Sequence, residues 1–105
     1  MAYKIKHTAH AKRDISNILT YLTDTLFSLT AARHFDKELT ACYRHISEYP
    51  LIYPVCRDEA LAAKGFRLAP VMRYIAFYTV DEDKKIVLIH RIIHSSMDYP
   101  QQVME

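Results

Sequence analysis

Arginines, histidines and tyrosines interrupt the apolar runs in the last third of this 105-residue chain. They lie within or beside three short runs rich in Ile, Val, Tyr and Phe, and between residues 60 and 80 the only formal charges are those of Lys64, Arg67 and Arg73. Cleavage of RNA by attack of its own 2′-hydroxyl needs a base, an acid for the leaving oxygen, and cations that stabilise the phosphorane. The candidate cations, imidazole and phenols for this chemistry are Arg67, Arg73, Arg91, His94, Tyr78 and Tyr99.

A second interpretation of the same residues involves no catalysis. Tyr74 and Tyr78 can be aromatic residues of a core or an interface, and the arginines can be charges at its rim. A small sheet with a cationic lining also suits a protein that binds nucleic acid or an acidic protein partner. The residue types alone leave both interpretations open.

Metal and cofactor chemistry have little support in the sequence. On an unbroken strand His90 and His94 share one face with Ile86, Leu88 and Ile92, and the two histidines lie roughly 13 Å apart, too far to ligate one metal without a bulge. The single glycine, Gly65, argues against a glycine-rich phosphate loop. We therefore expect neither a metal site nor a cofactor.

Composition predicts one domain spanning residues 1–105. Half of the residues are hydrophobic and a quarter are charged, which is typical of a globular domain, and the net charge is only +2. The longest apolar run is far shorter than a transmembrane helix requires, and the first residues lack the apolar stretch of a signal peptide. We expect a cytoplasmic protein with no membrane partner.

The first half of the chain has the pattern of a strand followed by two helices. Tyr3–His7 alternates as a strand does, and Thr8 can cap a helix that begins near Ala9. Ser28 or Thr30 can cap the second helix. The apolar positions spaced three and four apart are Ile15, Ile18, Leu19, Leu22 and Leu26 in the first helix, and Ala32, Phe35, Leu39, Cys42, Ile46 and Tyr49 in the second.

The second half predicts three strands that follow a loop. Pro50 and Pro54 end the second helix, and the loop can contain a helical turn at Asp58–Ala63. Gly65 opens the second strand, and we expect the tail at Met97–Glu105 to be irregular. The remaining strands are predicted at Tyr74–Val80 and Lys85–Ile93. The fold class is therefore α+β, with an N-terminal strand and a helical hairpin packed on a small, antiparallel-rich sheet of about four strands.

Several segments together resemble the RelE/ParE superfamily of toxins from bacterial toxin–antitoxin modules. The resemblance covers nearly the whole chain, and the aromatic third strand, the turn and the fourth strand in series are its most specific part. It implies a growth-inhibitory toxin of a type II toxin–antitoxin system, a class also associated with plasmid stabilization. The segments are Glu48-Tyr49-Pro50-Leu51-Ile52-Tyr53-Pro54, Gly65-Phe66-Arg67, the strand from Arg73 to Val80, and Arg91-Ile92-Ile93-His94 followed by Met97-Asp98-Tyr99-Pro100.

One branch of the superfamily consists of ribosome-dependent mRNA endonucleases similar to RelE. This branch carries cations on the second and third strands and after the fourth, and Arg67 corresponds to one of them. Ala69, Ile75 and Ser95 stand where the others are expected, so most of that cationic set is missing. The catalytic residues that this branch implies are His94 as general acid, Arg67 and Tyr99.

The ParE branch resembles poisons of DNA gyrase and is not enzymatic. It matches better in the Tyr-Pro segment after the second helix, in the Tyr-Ile strand, and in the Ile-His strand end. We therefore favour gyrase over ribosome-bound mRNA as the target. A third alternative is a non-toxic binding domain that kept the fold. The residues expected to form the target-binding surface are Arg67, Arg73, Arg91 and His94.

For either branch the resemblance implies a cognate antitoxin as partner. Its C-terminal segment typically wraps the toxin, and docking of an amphipathic helix in an apolar groove is the expected physical mode. Leu26, Phe27 and Leu29 are apolar residues at the link between the helices. They contribute to this antitoxin groove, or they simply cap the helical hairpin.

Overall fold

The computed structural model describes residues 2–104, without the side chains of Gln101 and Met104. None of the helices in that range is both long and apolar enough to cross a membrane. The elements, in chain order, are β1 (Lys4–His7), α1 (Ala9–Thr20), a π-helical turn (Tyr21–Thr25), α2 (Leu29–Glu48), α3 (Glu59–Ala63), β2 (Arg67–Val71), β3 (Tyr74–Asp81), β4 (Ile86–His94) and α4 (Tyr99–Met104).

The helical hairpin forms where the apolar spacing predicts it, and its N-terminal caps explain where its helices begin. The Thr8 hydroxyl accepts a hydrogen bond from the Ala11 N–H at 3.0 Å, and the Ser28 hydroxyl accepts one from the Ala31 N–H at 3.1 Å. Each cap satisfies a backbone donor that has no partner within the helix. Ser28, rather than Thr30, is therefore the second cap.

The predicted apolar stripes are buried or partly buried except at their C-terminal ends. Leu22 is buried, but Leu26 lies beyond the π-helical turn and is exposed. Ile46 is fully buried, whereas Tyr49 is exposed because α2 ends at Glu48 and the chain leaves the helical path. The apolar spacing therefore extends each buried stripe one position too far, and Leu26 lies on the surface, as expected for a residue at the link between the helices.

The four strands form one mixed sheet in the order β1-β4-β3-β2. β2, β3 and β4 are antiparallel neighbours, and β1 pairs in parallel with the first half of β4, from Lys4 opposite Ile86 to His7 opposite Ile89. This arrangement confirms the predicted α+β fold with a helical hairpin and a four-stranded, antiparallel-rich sheet.

Both faces of the sheet are covered. α1 and α2 pack on one face, where Phe35, Ile46 and Tyr78 are fully buried in the main core. On the other face Phe77 and Ile93 form a second core with Leu61 of α3, and with Tyr99 and Val103 of α4, among others. The prediction of an irregular tail was wrong for residues 99–104, because Tyr99 and Val103 lie one helical turn apart and both pack on this face. Glu105 lies outside the described residues.

A β-bulge in β4 changes the side-chain alternation at His90. Ile89 pairs with Tyr78 and Arg91 pairs with Phe77, so His90 is an extra residue between them. His90 therefore packs on Phe66 in the second core, whereas His94 contacts Tyr74 on the helical face. The prediction that His90 and His94 share one face with Ile92 was wrong for this reason.

Candidate functional site

Two of the predicted target-binding residues, Arg73 and His94, line one cavity of about 380 Å³. The cavity lies where the end of the helical hairpin meets the β2–β3 turn and the end of β4. We call it the tip cavity. The other lining residues are Tyr21, Leu22, Leu26, Met72 and Tyr74.

His94 is held in place from two sides. Its Nδ1 accepts the Ser96 backbone N–H at 3.2 Å and lies 2.7 Å from the Ser96 hydroxyl, so the neutral ring carries its proton on Nε2. Its ring packs at 85° against Tyr74, with centroids 5.4 Å apart, and Tyr74 packs in the same way against Phe35. The imidazole is thereby anchored to the main core while remaining at the cavity.

The β2–β3 turn presents Arg73 at the cavity. Met72, the first residue of the turn, has a φ of 57°, a left-handed conformation that suits a two-residue hairpin loop. The Arg73 carbonyl accepts the Ser95 N–H at 2.8 Å, which ties the turn to the segment after β4. The Arg73 residue is exposed, and its backbone is fixed beside His94.

The link between the helices exposes three large apolar side chains. Leu26, Phe27 and Leu29, the residues expected to bind the antitoxin, are 52%, 85% and 63% exposed. Phe27 has a φ of 50°, which costs an L-residue free energy and is uncommon for a bulky side chain. These residues are therefore presented to solvent rather than packed as a cap on the hairpin, and Leu26 also lines the tip cavity.

Arg67 lies away from the tip cavity and contacts the loop after α2. Its Nη1 donates to the Tyr53 carbonyl at 2.7 Å and, more weakly, to the Leu51 carbonyl at 3.4 Å. Beside it the Tyr78 hydroxyl donates to the Pro50 carbonyl at 2.9 Å. Burial raises the pKa of Tyr78 to about 12, although the nearby Arg67 charge opposes this, so the hydroxyl remains a donor at neutral pH.

Arg91 pairs with Asp14 of α1 at the edge of the sheet. Its Nε and Nη2 donate to the two Asp14 carboxylate oxygens at 2.7 and 3.1 Å, and its Nη1 donates to the Gln102 carbonyl at 2.7 Å. Asp14 also accepts the Ile92 backbone N–H at 3.0 Å. Since β1 pairs only as far as Ile89, the carboxylate takes the place of a neighbouring strand along the remaining edge of β4.

Tyr99 lies on the opposite face of the sheet from His94. Its ring packs on Phe77, with centroids 4.9 Å apart, and forms part of the second core. The structure therefore brings Arg73, His94 and Leu26 together in the tip cavity, and His94 also lines a separate cavity of about 230 Å³ with Arg91. Arg67 and Tyr99 line neither cavity.

Sequence reasoning missed Tyr21, Met72 and Tyr74 as lining residues of the tip cavity. The residue type at Tyr74 indicates only a core or interface aromatic. Tyr21 is brought to the cavity by the π-helical turn, which no spacing in the sequence reveals. One signal in the sequence could have indicated the other two. Met72, Arg73 and Tyr74 lie between or beside two strand patterns, and residues of a short turn lie together at the end of a sheet.

Two further imidazoles are partly buried away from the cavity. His7 Nε2 lies 2.9 Å from the Tyr43 hydroxyl, and His90 Nε2 lies 2.8 Å from the Thr79 hydroxyl. Burial lowers the pKa of both histidines, and the Lys12 charge lowers that of His7 further. Among residues 2–104 no three His, Cys, Asp or Glu side chains are grouped as metal ligands.

Comparison with solved structures shows to which class of proteins this fold belongs. The toxin–antitoxin complex RelBE2 from Mycobacterium tuberculosis matches with a TM-score of 0.62 and 20% identity, over 90% of this chain and 99% of that one. The chromosomal ParDE toxin–antitoxin system from P. aeruginosa matches with a TM-score of 0.68 and 15% identity, over 89% and 96%. A mutant of E. coli toxin RelE in the free state matches with a TM-score of 0.63 and 15% identity, over 98% and 94%. The fold is thus that of the RelE/ParE toxins.

The sequence itself gives the narrower assignment. Residues 5–99 match the model of the ParE toxin of the type II toxin–antitoxin system parDE. The chain belongs to this ParE toxin family. A search of curated proteins found no match.

Proposed function

We propose that this toxin arrests growth by inhibiting DNA gyrase, in the cytoplasm, and that it does not cleave mRNA. The observation that carries the proposal is the separation of the three residues that a RelE-like nuclease would use, His94, Arg67 and Tyr99. A general acid and the groups that stabilise the phosphorane must all reach one scissile phosphate.

Strand register gives the size of this separation. His94 pairs with Tyr74, and Arg67 pairs with Tyr78, four residues further along β3. At about 3.3 Å per residue the two lie roughly 13 Å apart along the sheet, in addition to the width of the strand between them. Tyr99 packs on the other face of the sheet. These positions do not form one catalytic centre around a phosphate.

Two positions that are cationic in RelE-like nucleases support the same conclusion. Ala69 is fully buried in the main core, and Ile75 packs against the second core. Both residues contribute to packing and carry no charge that could contact a phosphate. Membership of the ParE toxin family supports the gyrase proposal independently of this geometry.

The antitoxin surface that we propose consists of Leu26, Phe27 and Leu29. Two of the similar solved structures are toxin–antitoxin systems, and the helical link of this chain offers an exposed apolar surface of the kind that an amphipathic helix covers. Because Leu26 also lines the tip cavity, an antitoxin on this surface would reach Arg73 and His94. Antitoxin binding would then obstruct the proposed target-binding surface.

A RelE-like nuclease remains the second candidate because of one observation, the presence of Arg73 and His94 in the same cavity. A cation and an imidazole could serve as stabiliser and acid even without Arg67 and Tyr99. A nuclease of this kind would depend on His94, whereas a gyrase inhibitor would not need its proton.

The experiment that separates the candidates expresses the wild type, His94→Ala and His10→Ala without antitoxin. His10 is an exposed histidine outside the tip cavity and serves as the matched control. Growth, gyrase-dependent DNA breaks and ribosome-dependent mRNA cleavage are measured side by side. We expect gyrase-dependent breaks in all three strains, fewer in His94→Ala because His94 belongs to the proposed target-binding surface, and no mRNA cleavage in any. Cleavage of mRNA that falls by about 10²–10⁴-fold in His94→Ala would overturn the proposal. No growth effect in any strain would favour the non-toxic binding domain.

A further inference from the structure

The segment after α2 exposes a second apolar surface, far from the tip cavity. Tyr49, Leu51 and Ile52 are 59%, 50% and 53% exposed and surround a cavity of about 460 Å³. The 20 residues of α2 separate this segment from the helical link, a distance of about 30 Å at 1.5 Å per residue. We call it the loop surface. The other lining residues are Tyr3, Glu48, Pro50 and Glu82.

The backbone of this segment is fixed from beneath, so that its apolar side chains do not collapse onto the core. Tyr78 donates to the Pro50 carbonyl, and Arg67 donates to the carbonyls of Leu51 and Tyr53. The Ile52 N–H donates to the Tyr49 carbonyl at 3.0 Å. A surface that is ordered before binding loses little conformational entropy on binding, which favours a role as a docking site.

The charges that line the loop surface are both negative. Within residues 2–104 neither Glu48 nor Glu82 forms an ion pair. Asp81 and Asp83 flank Glu82 in the same turn, followed by Lys84 and Lys85. The Lys85 ammonium lies 5.2 Å from the centre of the Tyr3 ring. Two unpaired carboxylates beside exposed aliphatic side chains favour a partner that is apolar and cationic.

We propose that the loop surface binds a protein segment that presents an aliphatic side chain next to arginine or lysine. The aliphatic side chain occupies the cavity between Leu51 and Ile52, and the cation pairs with Glu48 and Glu82. The exposed Tyr49 ring offers a further face for a guanidinium. An acidic segment is repelled here, whereas the tip cavity carries the cationic Arg73. The two surfaces therefore recognise segments of opposite charge.

The test uses the purified full chain and two fluorescent synthetic peptides of equal length and leucine content, one with arginine and one with glutamate at its polar positions. Fluorescence anisotropy at low and high salt measures binding. We expect the arginine peptide to bind more tightly than the glutamate peptide, and its affinity to fall at high salt.

The variants assign the binding to the loop surface. We expect Ile52→Ser to weaken binding of the arginine peptide by about tenfold or more, as is typical for a residue that anchors an interface. Glu48→Gln combined with Glu82→Gln should remove most of the salt dependence of binding. Met97→Ser, an exposed apolar control elsewhere, should change neither the affinity for the arginine peptide nor its salt dependence. Equal binding of both peptides, no binding, or no effect of Ile52→Ser overturns the proposal. Self-association in sedimentation that Ile52→Ser abolishes would also overturn it, in favour of a second copy of this chain. None of these outcomes depends on gyrase.

Discussion

Replacing Asp14 by alanine removes the carboxylate that supports the exposed half of β4. The side chains of Asp14 and Arg91 are only 14% and 15% exposed, and their two hydrogen bonds are 2.7 and 3.1 Å long. The change leaves the Ile92 N–H without the Asp14 acceptor and removes the Asp14 carboxylate from Arg91, whose bond to the Gln102 carbonyl remains. The perturbation is therefore both electrostatic and structural.

The expected loss follows from this geometry. Removing one partner of a buried ion pair costs about 3–5 kcal/mol, and the lower value applies here because Arg91 keeps another acceptor. Unfolding entropy of about 2.1 cal/mol/K per residue gives about 0.22 kcal/mol/K for 105 residues. A loss of about 3 kcal/mol thus lowers the Tm by about 14 °C. Asp14→Asn, which can still accept from Ile92, should lose about half as much.

The assay is thermal unfolding followed by circular dichroism, with Asp36→Ala as the control. Asp36 is an exposed carboxylate on α2. We expect its removal to change the Tm by no more than about 2 °C, as is usual for surface positions. If Asp14→Ala were as stable as Asp36→Ala, the carboxylate would not support the edge of β4. A stabilising role of the pair between Asp14 and Arg91 would then be refuted.

Four further predictions concern single side chains. Phe35→Ala, at a fully buried position, should lower the free energy of unfolding by about 3–5 kcal/mol in denaturant titrations, and an unchanged midpoint would contradict its place in the core. Arg67→Ala should speed amide hydrogen exchange in residues 51–53 while the fold persists; unchanged protection would show that its bonds to the loop carbonyls do not matter. The left-handed backbone at Phe27 costs an L-residue about 1–2 kcal/mol, and Phe27→Gly removes that cost. The variant should therefore keep or raise the Tm while binding the antitoxin more weakly. A lowered Tm would show that the Phe27 backbone is not strained. Burial lowers the pKa of His90, so this histidine binds a proton more readily in the unfolded chain than in the folded one. The stability that the neutral ring contributes is therefore fully present above pH 6.5, and it falls as the pH drops from there through the folded-state pKa. His90→Gln should flatten this slope of Tm against pH, leaving the part due to His7, and equal slopes would exclude His90 as its source.

Local signals in the sequence predicted most of the fold. The caps at Thr8 and Ser28 and the spacing of apolar residues around Phe35 act over three or four residues, so they can be recognised without knowledge of the tertiary structure. The helix at residues 99–104 escaped prediction because its six residues are too few to form a stable helix alone. It depends on the packing of Tyr99 and Val103 against the sheet.

The candidate site was less predictable because its geometry depends on contacts between distant residues. The bulge at His90 reverses the faces of β4 beyond it, and it occurs where β1 ends and Thr8 donates to the His90 carbonyl at 2.8 Å. Asp14 lies 77 residues from Arg91, and no local pattern indicates that pair. Residue type alone could therefore not separate Arg73, which lines the tip cavity, from arginines that stabilise the fold.

The proposal that the protein acts on gyrase can be tested most directly with purified components. The full chain, added to DNA gyrase and a supercoiled plasmid, should increase double-strand breaks in the plasmid or block supercoiling, and His94→Ala should do the same at a higher concentration. In parallel, mRNA on purified ribosomes should remain intact. An inert gyrase reaction together with mRNA cleavage by the wild type and none by His94→Ala would contradict the proposed function.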